Sequence, residues 1–316
     1  MRNYILKRIL QMIPVLLLVT GLVFSLLLLI PGDPIRAIIG VGEALDEEQM
    51  EAMRQKLGLD KPIPVQYVVW LGKIVRGNFG ESNHTNRPVL TEIKNRLPVT
   101  IQLGLTAWLL SIIIALPAGI ISAMKRGTKT DFVATILSMS GVAIPGFWLG
   151  IMLILLFGVV LKWLPTHGFV SLFEDPIEGI RHLILPALSM GLAGAALNMR
   201  QTRSAMLEVL AQDYVRTARA KGLKESRVIW IHALKNSLLP VVTIMGLQIG
   251  RLFGGTVIIE TLFAIPGMGR LMVDSIFYRD FPVVQACVLI VAVTVLVANL
   301  ITDILYAYLD PRIHYG

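Results

Sequence analysis

Between Arg96 and Lys125 the chain reads LPVTIQLGLTAWLLSIIIALPAGIISAM (97–124), a stretch with no Asp, Glu, Lys or Arg. As a helix it would rise about 42 Å at 1.5 Å per residue. Roughly 20 apolar residues suffice to cross the hydrocarbon layer of a bilayer. This run is therefore a membrane span, and the rest of the sequence is organised around it.

Charge-free runs recur on both sides, from Ile9 to Gly32, Phe132 to Leu161, His182 to Met199 and Phe281 to Thr302. A sixth, from about Asn236 to Leu262, is broken by Arg251 and Glu260. Helices satisfy their own backbone in lipid, so the expected fold is all-α, a polytopic membrane protein with six transmembrane helices. Composition agrees: 55 % of the 316 residues are hydrophobic and 16 % charged, and mean hydropathy is +0.70. The first span is too long for the apolar core of a secretory leader, and no small-x-small site precedes Asp33. The single cysteine, Cys287, excludes an internal disulfide and reads as packing.

Orientation follows from the basic residues. The stretch Arg200–Lys235 carries eight basic and three acidic residues, whereas Asp33–Arg96 carries nine of each. Arg2, Lys7, Arg8, Lys125, Arg126 and Lys129 fall on the same side as the first of these. Both termini are thus expected on the cytoplasmic side of the membrane. The formal charge of +8 is explained by this bias and needs no nucleic acid. The chain divides into 1–32, a tail and first span; 33–96, an extracytoplasmic segment; and 97–316, a five-helix core.

The outer segment carries short helices. Asp46 with Gln49 is a start signal for one ending at Gly58, after a rigid turn at Ile30-Pro31-Gly32-Asp33-Pro34. Val65–Arg76 is expected as an apolar helix at the membrane surface. Prolines at 14, 117, 145, 186 and 240 mark the first five spans, and Ile144-Pro145-Gly146 is the best hinge candidate among them. Near the far end of the last loop, Pro282 suits the first turn of the final helix.

No phosphate-binding loop, metalloprotease motif or nucleophile elbow is present, and the five histidines lack ligand spacing. The expectation is a protein that is not an enzyme and binds no cofactor or metal. What stands out lies between two spans: Asp213-Tyr214-Val215-Arg216-Thr217-Ala218-Arg219-Ala220-Lys221-Gly222. Asp213 can cap a helix, Gly222 can end it in the left-handed region, and Arg219 and Lys221 suit its negative end. A helix about 12 Å long is unstable alone, so a second protein or the membrane surface is expected to hold it. Ala218, Ala220 and Gly222 would let a partner approach closely, rimmed by Arg216, Arg219, Lys221 and Lys224. The alternative is an ordinary basic loop.

Within the fifth span Gln248, Arg251 and Gly255 are spaced i, i+3, i+7 and share one face. A charge at membrane depth normally meets a partner or a water-filled path. The functional reading is a stripe along a translocation pathway, with Arg251 meeting a substrate carboxylate; the alternative is that Arg251 snorkels or pairs with another helix. Glu260 points the other way and is expected to fix the following outer loop, which holds Pro266-Gly267-Met268-Gly269 and Arg279-Asp280-Phe281-Pro282. The plain reading of this loop is a structural re-entry turn at the outer surface, with a gate as the alternative; Glu260, Pro266, Gly267 and Asp280 are also candidates for docking an extracytoplasmic protein.

Arg216-Thr217-Ala218-x-x-x-Gly222 resembles the Glu-Ala-Ala-x-x-x-Gly loop of ABC importer permeases, with Arg216 and Thr217 in place of the first two residues. His232-Ala233-Leu234-x-Asn236-x-Leu238-Leu239-Pro240 is similar to the peptide/nickel branch of that family. So are Pro31-Gly32-Asp33-Pro34, Gly58-Leu59-Asp60-Lys61-Pro62, Gly77-Asn78-Phe79-Gly80-Glu81-Ser82, Glu260-x-x-Phe263-x-x-Pro266-Gly267-Met268-Gly269 and Arg279-Asp280-Phe281-Pro282-Val283. The resemblance spans nearly the whole chain. It implies the type I importer permease fold, a place in the cytoplasmic membrane of a bacterium or archaeon, and half of a pathway for dipeptides, oligopeptides or nickel. The partners it implies are a second related permease, two ATPase subunits holding ATP and magnesium, and an extracytoplasmic solute-binding protein. It makes 213–222 the helix that couples to the ATPases. A fixed charge at Arg251 favours a peptide carboxylate over nickel. An ATP-independent channel or carrier is the competing class, and a membrane enzyme lacks any reactive constellation.

Overall fold

The computed structural model describes residues 2–28, 46–57 and 60–309. In order these form α1 (Arg2–Leu28), α2 (Glu47–Leu57), α3 (Ile63–Val75), α4 (Val89–Met124), α5 (Lys129–Ala143), α6 (Gly146–Leu153), a π-helical turn π1 (Ile154–Val160) and α7 (Pro176–Leu210). The chain continues through α8 (Asp213–Ala220), α9 (Glu225–Arg227), a second π-helical stretch π2 (Val228–Ala233), α10 (Leu234–Leu262), α11 (Met268–Phe277) and α12 (Phe281–Leu309). Among the described residues there is no strand, only an isolated bridge between Glu81 and Pro88. Among the described residues four helices are long and apolar enough to cross a membrane: Leu6–Ser25 within α1, α4, α7 and Phe281–Ile304 within α12. Two bent pairs, α5 with α6–π1 and the stretch 225–246, bring the number to six when each counts as one span.

The centre of the bundle is the seam between α4 and α7. Ala107, Ser111, Ala115 and Gly119 recur every fourth residue on α4 and are all buried, as are Gly191 and Ala195 on α7. In lipid the helices gain little from apolar burial against each other, so small residues that bring backbones close take over. The approach is tight enough that a Cβ on Gly191 would lie 2.6 Å from the Ala107 carbonyl oxygen. At Gly119 a Cβ would lie 2.8 Å from the Met199 carbonyl.

The third span is not a straight helix with a flexible centre. α5 and α6–π1 meet at 105°, and Pro145 is the cap that starts the second helix. The corner is packed: a Cβ on Gly146 would lie 2.8 Å from the Ser189 carbonyl of α7. Pro145 and Gly146, the expected hinge, form a sharp elbow whose backbone packs closely on α7.

The basic end of the bundle is fastened by an ion pair. Arg203 of α7 donates to Asp131 of α5 at 2.7 and 2.9 Å. Asp131 also accepts from the Ser122 hydroxyl of α4 at 2.5 Å and from the Gly127 amide at 2.9 Å. Charge-assisted, two-point pairing of this kind fixes orientation as well as distance.

At the opposite end, α3 lies against α1 through the Thr20 and Tyr67 hydroxyls, 2.8 Å apart, and through Phe24, which meets the rings of Tyr67 and Trp70. Val68, Val69 and Val75 are exposed on it. The Asp46 amide donates to Gln49 at 3.3 Å, one half of the expected capping box. The turn at Ile30–Pro34 and the helix end at Gly58 lie outside the described residues.

Candidate functional site

The segment 213–222 forms α8, and its cap is displaced by one residue from the expected position. Gln212 is the cap, without a side-chain hydrogen bond, and Asp213 is the first helical residue. From there its carboxylate still lies at the positive end of the helix dipole and reaches Arg216 at 3.5 Å. Gly222 has φ +75°, the left-handed conformation that ends the helix.

One face of α8 is held by the chain itself. Val215 and Ala218 are buried against Val228 of π2, with Val209, Leu210 and Leu223 around them. Asn236 of α10 donates to the Tyr214 hydroxyl at 2.8 Å, and Tyr214 in turn donates to the His232 carbonyl at 3.4 Å. Arg219 forms a two-point pair with Glu225 at 2.7 and 3.1 Å, and this carboxylate holds the Arg219 guanidinium above its ordinary range. Ala218 thus faces inward and is unavailable for the close partner contact expected of it; its small size serves packing on π2. The open face carries Asp213, Arg216, Thr217, Ala220, Lys221 and Gly222. Sequence reading missed Val215 and the Tyr214–Asn236 bond, although a lone valine in a polar octet signals an inward position.

The pathway candidates separate. Gln248 is part-buried and its amide is engaged with Asn198 of α7: Asn198 Nδ2 donates to Gln248 Oε1 at 3.0 Å, and Gln248 Nε2 donates to Asn198 Oδ1 at 2.9 Å. That reciprocal pair satisfies both amides at membrane depth, so Gln248 joins α10 to α7 instead of presenting a free polar group. Gly255 is exposed, with no atom within 4 Å of where a Cβ would stand. The side chain of Arg251 lies outside the described residues. Two further bonds grip α10 in the same region, from Trp108 Nε1 to the Met245 carbonyl and from the Thr302 hydroxyl to the Gly246 carbonyl, each 3.0 Å.

At the end remote from α8, Glu260 is completely buried. It accepts from the Thr100 hydroxyl at 2.7 Å and from the Arg270 amide at 3.0 Å, while Thr100 Oγ1 accepts from the Met268 amide at 2.8 Å. Gly267 is needed here because a Cβ would fall inside the Glu260 carboxylate. Asp280 is buried too, accepting from the Ser82 hydroxyl and from the Asn83 amide. Glu260 and Asp280 therefore shape the loops from within and offer no carboxylate to a docking protein; Gly267 is buried with them and Pro266 is partly covered. A stacked pair, His84 on Tyr278 with ring centres 3.9 Å apart, is exposed above Asp280. Among the described residues no group of three His, Cys, Asp or Glu side chains is placed to hold a metal ion.

With this geometry the chain presents a short helix with an exposed cationic face, tied to π2 through Val215, to α9 through Arg219 and to α10 through Tyr214, and it holds polar contacts across the bundle. Residues 115–315 match the family described as binding-protein-dependent transport system inner membrane component. Residues 1–104 match its N-terminal counterpart. The chain is 46 % identical to the oligopeptide transport system permease protein AppB of Bacillus subtilis, over 100 % of both chains. It is 42 % identical to the di/tripeptide transport system permease protein DppB of Pseudomonas aeruginosa, over 100 % of this chain and 99 % of that one. Identity to the glutathione transport system permease protein GsiC of Escherichia coli K12 is also 42 %, over 100 % of both.

Proposed function

The chain belongs to the family of binding-protein-dependent transport system inner membrane components, and from that premise we propose that it forms half of the translocation pathway of an ATP-driven importer of di- or oligopeptides. It is an inner-membrane permease. The full-length relatives are named for oligopeptides, di- and tripeptides and glutathione, which share an amide backbone and a free carboxylate; nickel shares neither. The partners in this reading are a second permease of the same family, two ATPase subunits that bind ATP and magnesium, and an extracytoplasmic solute-binding protein. Both termini and α8 face the cytoplasm, on the side with the excess of Lys and Arg.

The observation that carries this reading is the two-sidedness of α8. Its apolar side is fastened to π2 and the start of α10, and its cationic side is open to a partner. A push from an ATPase would pass directly into the helix that bears Gln248, Arg251 and Gly255. Arg251 is assigned the passing carboxylate: Arg251→Ala is expected to reduce uptake while leaving assembly intact. The test is reconstitution of the complete assembly in vesicles with ATP inside or outside. Peptide uptake that requires ATP, the ATPases and the binding protein supports the proposal. Uptake by this chain alone refutes it and favours a channel or carrier.

A further inference from the structure

α1 and α12 run antiparallel: Gln285 Nε2 donates to the Val23 carbonyl at 3.0 Å near one end, and Arg8 lies 3.4 Å from Asp303 near the other. Close to that second end their facing stripes line an open cleft of about 320 Å³, to which Met12 and Leu300 also contribute apolar side chains. Arg8, Gln11 and Val15 line it from α1 and Leu296, Asn299 and Asp303 from α12, each trio spaced i, i+3, i+7 on one helix face.

The lining is ordered along the helices. The Arg8–Asp303 pair is at the mouth, the Gln11 and Asn299 amides come about one turn further in, and Val15 and Leu296 lie about 10 Å from the mouth at 1.5 Å per residue. Among the described residues the Gln11 and Asn299 side chains have no hydrogen-bond partner within the chain. Amides in a membrane-spanning wall carry a cost unless something satisfies them. The charges at the mouth sum to zero.

We propose that this cleft is a binding site for one glycerophospholipid with a zwitterionic, phosphoethanolamine-type headgroup; the inference rests on the permease reading only for its placement in a bilayer. Such a lipid carries the same chemical order along its length. Its phosphate and ammonium match Arg8 and Asp303, its ester carbonyls accept from Gln11 and Asn299, and its acyl chain follows Val15 and Leu296. The volume suits a headgroup and glycerol, with the chains trailing into the bilayer. A purely anionic lipid would leave Asp303 facing a phosphate, and a neutral one would leave Arg8 without gain.

The test uses the complete assembly carried through delipidation, then exposed to vesicles of phosphatidylethanolamine or phosphatidylglycerol, with retained lipid counted by native mass spectrometry. The expected result is one phosphatidylethanolamine per copy of this chain, with about tenfold weaker retention after Gln11→Leu with Asn299→Leu. Asp303→Asn is expected to shift the preference toward phosphatidylglycerol. Equal retention of both lipids by the unaltered assembly overturns the proposal. So does efficient cross-linking of Gln11→Cys to another subunit, which would mean that protein fills the cleft. An assembly that imports peptide with ATP yet keeps no lipid sinks this inference alone; one that keeps the lipid but never imports sinks the proposed function alone.

Discussion

Loosening α8 from its seat should uncouple ATP hydrolysis from transport, and the structure gives the scale. An eight-residue helix has negligible stability by itself, so its position depends on three attachments. Burying Val215 contributes roughly 1.5–3 kcal/mol. The Tyr214–Asn236 hydrogen bond contributes about 1 kcal/mol, and the half-exposed Arg219–Glu225 pair less than about 1 kcal/mol. Val215→Ala removes two methyl groups and leaves a small void, a loss of about 2 kcal/mol. Tyr214→Phe removes the hydroxyl and about 1 kcal/mol more. Together they lower the docking constant by about two orders of magnitude, leaving an appreciable fraction of α8 unseated. The assay is the ratio of peptide imported to ATP hydrolysed in vesicles holding the complete assembly. We expect hydrolysis to persist, the complex to co-purify, and the ratio to fall several-fold. An unchanged ratio in the double variant would refute the view that these contacts carry the stroke.

Asn198→Leu leaves the Gln248 amide unpaired and should lower thermal stability by about 1–3 kcal/mol, while Asn198→Leu with Gln248→Leu recovers most of the loss; a double-mutant cycle in detergent measures this. Glu260→Gln keeps shape but sets an NH₂ group against the Thr100 hydroxyl or the Arg270 amide, and should cost about 1–3 kcal/mol. Faster limited proteolysis near residues 264–270 is the readout. Gly191→Leu should abolish the folded yield, since its first carbon already overlaps the Ala107 carbonyl and overpacking alone costs about 1–3 kcal/mol. At Gly255 an added Cβ meets no atom within 4 Å, so for Gly255→Ala normal yield with impaired uptake is expected if that face borders the pathway.

Apolar run length was enough to locate the spans, because a bilayer demands it whatever the packing. It could not show that the third span turns through 105° at Pro145, since a proline reads alike as bend, hinge or helix start until α7 is placed beside it. Gly222 was legible because left-handed backbone has few other residents. The cap was not: Asp213 and Gln212 are adjacent, and which one begins the helix depends on where Val215 and Ala218 must point. That Glu260 holds the following loop was legible from its angle to Arg251 along one helix, but its complete burial, which takes it away from any docking surface, was not. Neither was the Asn198–Gln248 pair, because an amide in an apolar run shows only that some partner exists. That partner lies 50 residues away.

The seam between α4 and α7 has a mechanical consequence. Where a glycine of one helix touches the main chain of another, no side chain stands between them to swivel and absorb a displacement. Tension arriving at the foot of α7 cannot be dissipated there by sliding, so the two helices must tilt as one beam. Any alternation of access then takes its axis from the elements around that beam, and the angle through which it swings is set at its ends.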